Sequence, residues 1–289
     1  MLETADRSAA VSAPVRTSTA PGEFKISDQE FTHFQRLILE LAGISLSAAK
    51  KPLLVGRLSK RLKLLGIDTF GGYFRHITMA GNGDERQMAV DLLTTNETYF
   101  FRESKHFDFI AETALRHRQA EPFRVWSAAS SSGEEAYSVA MVLAEKLQNS
   151  AWEVIGTDIS MQVLSRAQRA LYPVERAEHI PLPFLKKHCL KGLRDQAGQF
   201  LIAKHLRERV RFLQSNLLDP VKELGKFDVI MLRNVMIYFD TPTKQKVVAN
   251  LLPYLKEGGH FIVGHSESLN GLAPDLLGIQ PTISRLVQR

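Results

Sequence analysis

Four short stretches of this sequence carry side chains suited to gripping a small polar molecule, and each follows an apolar run. The first reads Ser127-Ala128-Ala129-Ser130-Ser131-Ser132-Gly133-Glu134-Glu135. Its small residues let a ligand approach the main chain, and a helix starting there offers free N–H groups. The spacing is not GxGxxG, and two carboxylates at the helix start would repel a pyrophosphate. A cationic or neutral nucleoside fits better. Asp158 follows the second run, about thirty residues on, where a carboxylate can accept two hydrogen bonds from ribose hydroxyls. Asn216-Leu217 and Arg233-Asn234 follow two more. Each alone has a structural explanation, Asp158 as a helix N-cap for instance. Together they indicate a nucleoside site.

Other chemistries lack their residues. Cys189 is the single cysteine, so neither an internal disulfide nor a thiolate zinc site can form, and nothing positions it as a nucleophile. His76, His106, His188, His260 and His265 are scattered without metal-ligand spacing, so no metal is expected.

The elements that must hold these groups follow from periodicity. Apolar runs at 123–128, 153–157, 210–213, 227–232 and 260–264 read as strands, and 134–147, 161–171 and 243–255 read as helices between them. That alternation predicts a doubly wound α/β domain, whose sheet binds ligands at its carboxyl edge. The stretch 172–209 is too long for a loop, and Phe200-Leu201-Ile202 with Leu206 suggests a small β insertion. Upstream the pattern is helical. Ser27 and Glu30 have capping-box spacing, Ile26 and Phe31 that of a hydrophobic staple, and Gly43 marks the stop. Further helices are predicted at 47–65, with Pro52 in the first turn and Gly66 as cap, and at 70–79, 84–93 and 104–118. On the 47–65 helix Leu54, Val55, Leu58, Leu62 and Leu65 share one face, and Arg57, Lys60 and Lys63 point away. The expected organisation is a disordered tail at 1–23, a helical domain at 24–118 and an α/β domain at 119–289.

The chain of 289 residues is 44% hydrophobic and 24% charged, and no stretch approaches the roughly 18 apolar residues of a spanning helix. A cytoplasmic address is expected. A net charge of +6 favours an acidic partner: nucleic acid, anionic lipid or an acidic protein face.

The strings Leu93-Thr94-Thr95-Asn96-Glu97-Thr98-Tyr99-Phe100-Phe101-Arg102, Val125-Trp126-Ser127-Ala128 through Glu135, Asp158, and Leu232-Arg233-Asn234-Val235-Met236-Ile237-Tyr238-Phe239-Asp240 resemble the CheR-type chemotaxis receptor methyltransferases. The resemblance runs from about Phe24 to the C-terminus and implies a helical domain followed by a class I, Rossmann-like methyltransferase domain. It implies S-adenosylmethionine as methyl donor, S-adenosylhomocysteine as product, and glutamates on the cytoplasmic helices of chemoreceptors as acceptors. By motif, Asn96, Thr98, Arg102, Glu135, Asp158, Asn216, Leu217, Arg233 and Asn234 would line the cofactor site, and Tyr238 would stand near the reacting carboxylate. Arg102 is the expected cation that orients it. The basic helix, with Lys50, Arg57, Lys60 and Lys63, would dock on the receptor; without the resemblance those charges would read as a solvated face. A monomer is expected, recruited to membrane-bound receptor arrays without inserting in the membrane or binding nucleic acid.

The chemistry agrees. A glutamate with a pKa of about 4.3 is ionised at neutral pH, so its methylation needs placement and dryness, not a general base. A nucleic-acid methyltransferase would need a catalytic cysteine or an Asn/Asp-Pro-aromatic motif for a flipped base, and Arg233-Asn234-Val235-Met236 has no proline. A non-catalytic cofactor-binding module would leave Arg102 and Tyr238 unexplained. Some members of the family grip a receptor's C-terminal peptide on the edge of the β insertion. Here the expected edge, Gly198-Gln199-Phe200-Leu201-Ile202-Ala203-Lys204, has no arginine among its apolar positions, so activity without such a tether is expected.

Overall fold

The computed structural model describes residues 24–117, 121–148, 150–220 and 224–287; the expected tail and the boundary at 118/119 lie outside them. The first helix, α1 (Asp28–Ala42), has the capping box: Glu30 N donates to Ser27 Oγ at 3.2 Å and Ser27 N to Glu30 Oε2 at 2.8 Å. Gly43 ends it in the left-handed region, φ 72°. A 3-10 turn (Ala48–Lys50) leads into α2 (Lys51–Leu65), so the predicted helix is tightened at its start; Gly66 caps it at φ 65°. Then come α3 (Phe70–Thr78) and α4 (Gly83–Leu93). Leu54, Leu58 and Leu62 are fully buried against Phe34, Phe70, Tyr73 and Ile77. At about 1.5 to 3 kcal/mol for each such leucine, this face anchors α2. Leu65 is exposed, because the helix ends before that face meets another element.

The next helix, α5 (Lys105–Arg116), belongs elsewhere. Phe107, Ile110 and Ala114 pack into the core of the sheet with α6 (Glu134–Leu147), while the core of the first four helices ends at Leu93. The hydrophobic clusters therefore change hands ahead of α5, not near residue 118 as the helical pattern suggested. An amphipathic helix shows that it has an apolar face, and only the fold shows what covers it.

Five parallel strands form most of the main sheet: β1 (Phe123–Ala128), β2 (Trp152–Asp158), β6 (Val210–Gln214), β7 (Phe227–Leu232) and β8 (Leu255–Val263). The order is β6-β2-β1-β7-β8-β10-β9, where β9 (Leu276–Gln280) and β10 (Ile283–Leu286) run antiparallel at one edge and were not foreseen. Alternate residues face opposite cores: Val125, Val154 and Val229 pack under α5, α6 and α7 (Met161–Arg169), whereas Trp126, Ile155 and Ile230 pack under α10 (Thr241–Leu251). Both faces are covered, as in a doubly wound domain. Leu255 opens β8 instead of ending a helix, since α10 stops at Leu251 and Pro253 follows in a 3-10 turn. Among the described residues no helix is long and apolar enough to cross a membrane.

The insertion forms a small antiparallel sheet, β3 (Leu171–Pro173), β4 (Cys189–Lys191) and β5 (Gln199–Ile202), with α8 (Leu182–His188) between β3 and β4 and α9 (Lys204–Arg207) after β5. Its order is β3-β5-β4, so the strand within the 198–204 stretch is the central one and not an edge. The expectation of activity without a tether loses its premise, because the apolar strand is saturated by neighbours on both sides.

Gly133 opens α6 at φ 95°, and a Cβ there would lie 2.9 Å from Ala167 Cβ and 3.0 Å from the Phe212 ring. Both the dihedral and the space demand glycine. Gly133→Ala should cost about 1 to 3 kcal/mol of stability, read as a lowered midpoint in urea unfolding; an unchanged midpoint would contradict this packing.

Candidate functional site

The chain from Thr94 to Ser104 crosses the carboxyl edge of the sheet, and side chains bonded to its backbone hold it there. Ser131 Oγ donates to Asn96 O (3.0 Å), Arg176 Nη1 to Thr98 O (2.6 Å) and Arg233 Nη2 to Arg102 O (2.5 Å), while Phe101 N donates to Ser138 Oγ (2.9 Å). Phe101 and Glu103 sit at φ 55° and 59°, strained for residues with a Cβ. Such backbone persists only where the surroundings determine it.

Below this crossing lies the turn from β1 to α6, with Ala129 at φ 65° and Ser131 at φ 50°. Asp158, at the end of β2, fastens the turn: its Oδ2 accepts from Ser131 N and its Oδ1 from Ser160 N, each at 2.9 Å. The N-cap of α7 is Ser160, so Asp158 is not a cap. Burial raises the Asp158 pKa, the backbone N–H groups oppose that rise, and nearby Asp91 adds to it. Beside it the buried Ser130 Oγ has no hydrogen-bond partner.

A buried ion cluster ties the pieces together. Arg233 follows β7 and is 1% exposed at its side chain; Nη1 meets Glu135 Oε2 at 2.7 Å and Nη2 meets Glu103 Oε2 at 3.0 Å. Glu135 Oε1 also accepts from Ser127 Oγ at 2.6 Å. Although burial pushes the Glu103 carboxyl up, hydrogen bonds from Asn234 and the charge of Arg233 leave it below the usual range. Asn234 sits at φ 58° and donates its N–H to Glu267 Oε2 at 2.8 Å; the same carboxylate also accepts from Met236 N and Gly264 N, both at 2.7 Å.

These parts enclose a cavity of about 920 Å³, including its mouth, between the sheet edge and the helical domain. Asn96, Thr98, Arg102, Glu135, Asp158, Asn216, Leu217, Arg233 and Asn234 all line it, and so does Tyr238. Several reach it as scaffolding. Glu135 and Arg233 spend their charged atoms on each other and on the loop, and Asn216 donates to Leu41 O at 2.9 Å, stitching α1 to the sheet. Arg102 is different. Its Nη1 touches Glu97 O at 3.1 Å, its guanidinium lies 5.6 Å from the Tyr99 ring centre, and among the described residues it has no carboxylate partner.

The expected docking residues lie on α2 and, for Lys50, in the 3-10 turn before it, away from the lining. Lys50, Lys60 and Lys63 are exposed and unpaired among the described residues. Arg57 departs from the expected outward face: its Nη1 donates to Leu93 O (2.8 Å) and Thr94 O (2.9 Å), and its Nη2 to Thr95 Oγ1 (3.0 Å). The open carbonyls at the end of α4 draw it in. Burial lowers its pKa, and Tyr238 is close enough to oppose that shift. Sequence reasoning missed Glu103, Arg176 and Glu267. The first and last lie in ordinary polar strings, and their partners come from distant positions.

The cavity suits a nucleoside donor bearing a positive sulfur. Small residues expose the backbone, the Asp158 carboxylate can receive polar groups, and Arg102 can receive a carboxylate. Residues 29–94 match the family model described as the CheR methyltransferase all-alpha domain, and residues 96–281 match the CheR methyltransferase SAM-binding domain. A chemotaxis protein methyltransferase 2 of Pseudomonas aeruginosa is 40% identical over 250 residues, 85% of this chain and 89% of that protein. The chemotaxis protein methyltransferases of Salmonella typhimurium and Escherichia coli are each 38% identical over 250 residues, covering 86% of this chain and 86% and 87% of theirs. Matched along both its helical and its α/β parts, the chain belongs to the CheR family of S-adenosylmethionine-dependent chemotaxis methyltransferases.

Proposed function

We propose that this enzyme methylates glutamate side chains on the cytoplasmic helices of chemoreceptors, with Arg102 and Tyr238 presenting the acceptor carboxylate. The observation that carries this reading is the Arg102 guanidinium, with no carboxylate partner among the described residues, in the same cavity as Tyr238, Asp158 and the small-residue turn. S-adenosylmethionine supplies an electrophilic methyl group on a sulfonium. Asp158 and the turn at Ala129 to Ser131 bind the nucleoside end. Arg102 attracts the carboxylate by charge, and the Tyr238 hydroxyl donates to it without removing a proton. Opposite charges meet and cancel along this path, so a dry cavity favours the reaction. No histidine or cysteine lines the cavity, in keeping with a reaction that needs no general base.

The unpaired lysines of α2 form the docking face for acidic receptor helices. Lys51 pairs with Asp28 at 2.7 Å, Arg61 with Glu85, and Arg57 with backbone carbonyls, which leaves Lys50, Lys60 and Lys63 to act on a partner. In this reading the helical part up to α4 recognises the receptor, and the α/β part from the Thr94 crossing onward binds the donor. The enzyme works as a cytoplasmic monomer drawn to receptor arrays by these charges, without entering the bilayer. A nucleic-acid substrate would use the same lysines and is an outcome of the test below.

Three measurements bear on this. Asp158→Ala should weaken S-adenosylhomocysteine binding by about 1 to 3 kcal/mol in calorimetry, since ribose hydroxyls lose an acceptor and the Ser131 and Ser160 amides a partner. Unchanged affinity in the folded variant would remove the ribose assignment. Arg102→Ala should lower turnover on receptor membranes about 10²-fold, and Tyr238→Phe roughly tenfold, both with smaller effects on donor affinity. A wild-type rate for Tyr238→Phe would make the tyrosine structural. Charge reversal of Lys60 and Lys63 should raise KM for receptor and flatten the salt dependence of the rate, leaving kcat and the unfolding midpoint near wild type; lost DNA binding with intact receptor methylation would favour the nucleic-acid reading.

A further inference from the structure

The residue after Arg102 begins a second cluster of ligating groups, outside the cavity just described. Glu103 Oε2 lies 3.5 Å from His106 Nδ1 and 3.8 Å from His265 Nε2, and the three donor atoms all fall within 4.8 Å of one another. His106 is 2% exposed. Its Nε2 lies 2.6 Å from Thr282 Oγ1, while its Nδ1, facing Glu103 and His265, is buried with no hydrogen-bond partner. A buried polar nitrogen left so is costly and calls for a partner.

The geometry is near what a small cation asks. Tetrahedral zinc bonded at about 2.0 to 2.2 Å holds its donors roughly 3.4 Å apart. The Glu103 and His106 atoms stand at that separation already, and the His265 side chain, 57% exposed, has room to close the rest. Glu103 and His106 have the Glu-x-x-His spacing found in carboxylate metal sites. Glu103, His106, His265 and Thr282 line a groove open to solvent, which leaves a fourth position for water. Two imidazoles and one carboxylate suit zinc better than magnesium or calcium, which prefer oxygen.

We propose that Glu103, His106 and His265 form a zinc site whose occupation weakens the hold of Glu103 on Arg233. The same Oε2 that faces both histidines lies 3.0 Å from Arg233 Nη2, so zinc and guanidinium compete for one oxygen. Arg233 in turn holds Arg102 O and Glu135, both at the donor cavity. Zinc and donor affinity are therefore linked, each weakening the other by the same factor. The nearby guanidinium makes the zinc site one of modest affinity, suited to regulation and not to holding the fold together.

The test is calorimetric and needs no methyl-transfer assay. Zinc chloride, with magnesium chloride as control, is titrated into the full-length protein without an affinity tag and into its His265→Ala variant. The expected result is saturable 1:1 zinc binding to the wild type, at least tenfold weaker binding to the variant, and no magnesium heat. Cobalt should show the same loss through its visible absorption. Saturating zinc should also raise the dissociation constant for S-adenosylhomocysteine several-fold in the wild type and leave it unmoved in His265→Ala. No saturable zinc binding, or equal binding by both proteins, would overturn the site; the latter would place the ion elsewhere, as at the His188 and His205 pair. An unchanged S-adenosylhomocysteine affinity at saturating zinc would overturn the linkage.

Discussion

The site depends on one buried cation. Arg233 lies at the end of a central strand with its guanidinium shared among Glu135 at the start of α6, Glu103 on the crossing loop, and the Arg102 carbonyl. Strand, helix and loop come from distant parts of the chain, and this guanidinium is bonded to all three. Burying these charges is expensive, and it is sustained because each carboxylate also takes neutral donors: Ser127 for Glu135, Asn234 and the His265 amide for Glu103. Loss of the guanidinium would strand two carboxylates, a change in the range of about 3 to 5 kcal/mol. The strained backbone of Phe101 and Glu103 rests on this arrangement, and with it the direction in which Arg102 faces.

This division of labour explains why so many charged residues line a cavity whose chemistry needs so few. Glu135 and Arg233 neutralise each other and act as framework, and Asn216 stitches the first helix to the sheet. What remains for a reactant is Arg102, Tyr238 and the Asp158 carboxylate. A reaction between an anion and a sulfonium is helped by removing water and fixing approach, so a rigid, internally compensated wall is more useful than additional acids or bases. The helical domain completes that wall, because Ile44 lies on the cavity and Ser45 N donates to Tyr238 O at 2.8 Å.

The basic helix shows how one charge pattern divides into roles. Six basic residues fall between Lys50 and Lys63 with no acid among them, yet only three remain unpaired on the surface among the described residues. Arg57 is drawn to the open end of α4, where it joins α2 to the loop that leads to Arg102. Through Arg57, α2 and the loop that lines the cavity are thus in direct contact.

Much of this was legible in the sequence for a physical reason: local rules act over a few residues. The capping box at Ser27 and Glu30, the left-handed glycines at 43 and 66, the span of α6 and the strands at 123–128 and 227–232 all follow from neighbours in the chain. Strand ends in a parallel sheet converge on one edge, which pointed to the 127–135 turn, Asp158, Asn216 and Asn234, whereas Asn96, Thr98, Arg102 and Tyr238 were named from the family resemblance. Tertiary structure alone decided the rest. That α5 joins the sheet core, that the strand within 198–204 is central, and that Arg57 turns inward depend on which surfaces meet. The weakly patterned strands 276–280 and 283–286 gain their order from pairing at an edge. The meeting of Glu103 and His106 with His265, about 160 residues away, has no trace in local spacing, because contacts across a fold are set by topology and not by periodicity.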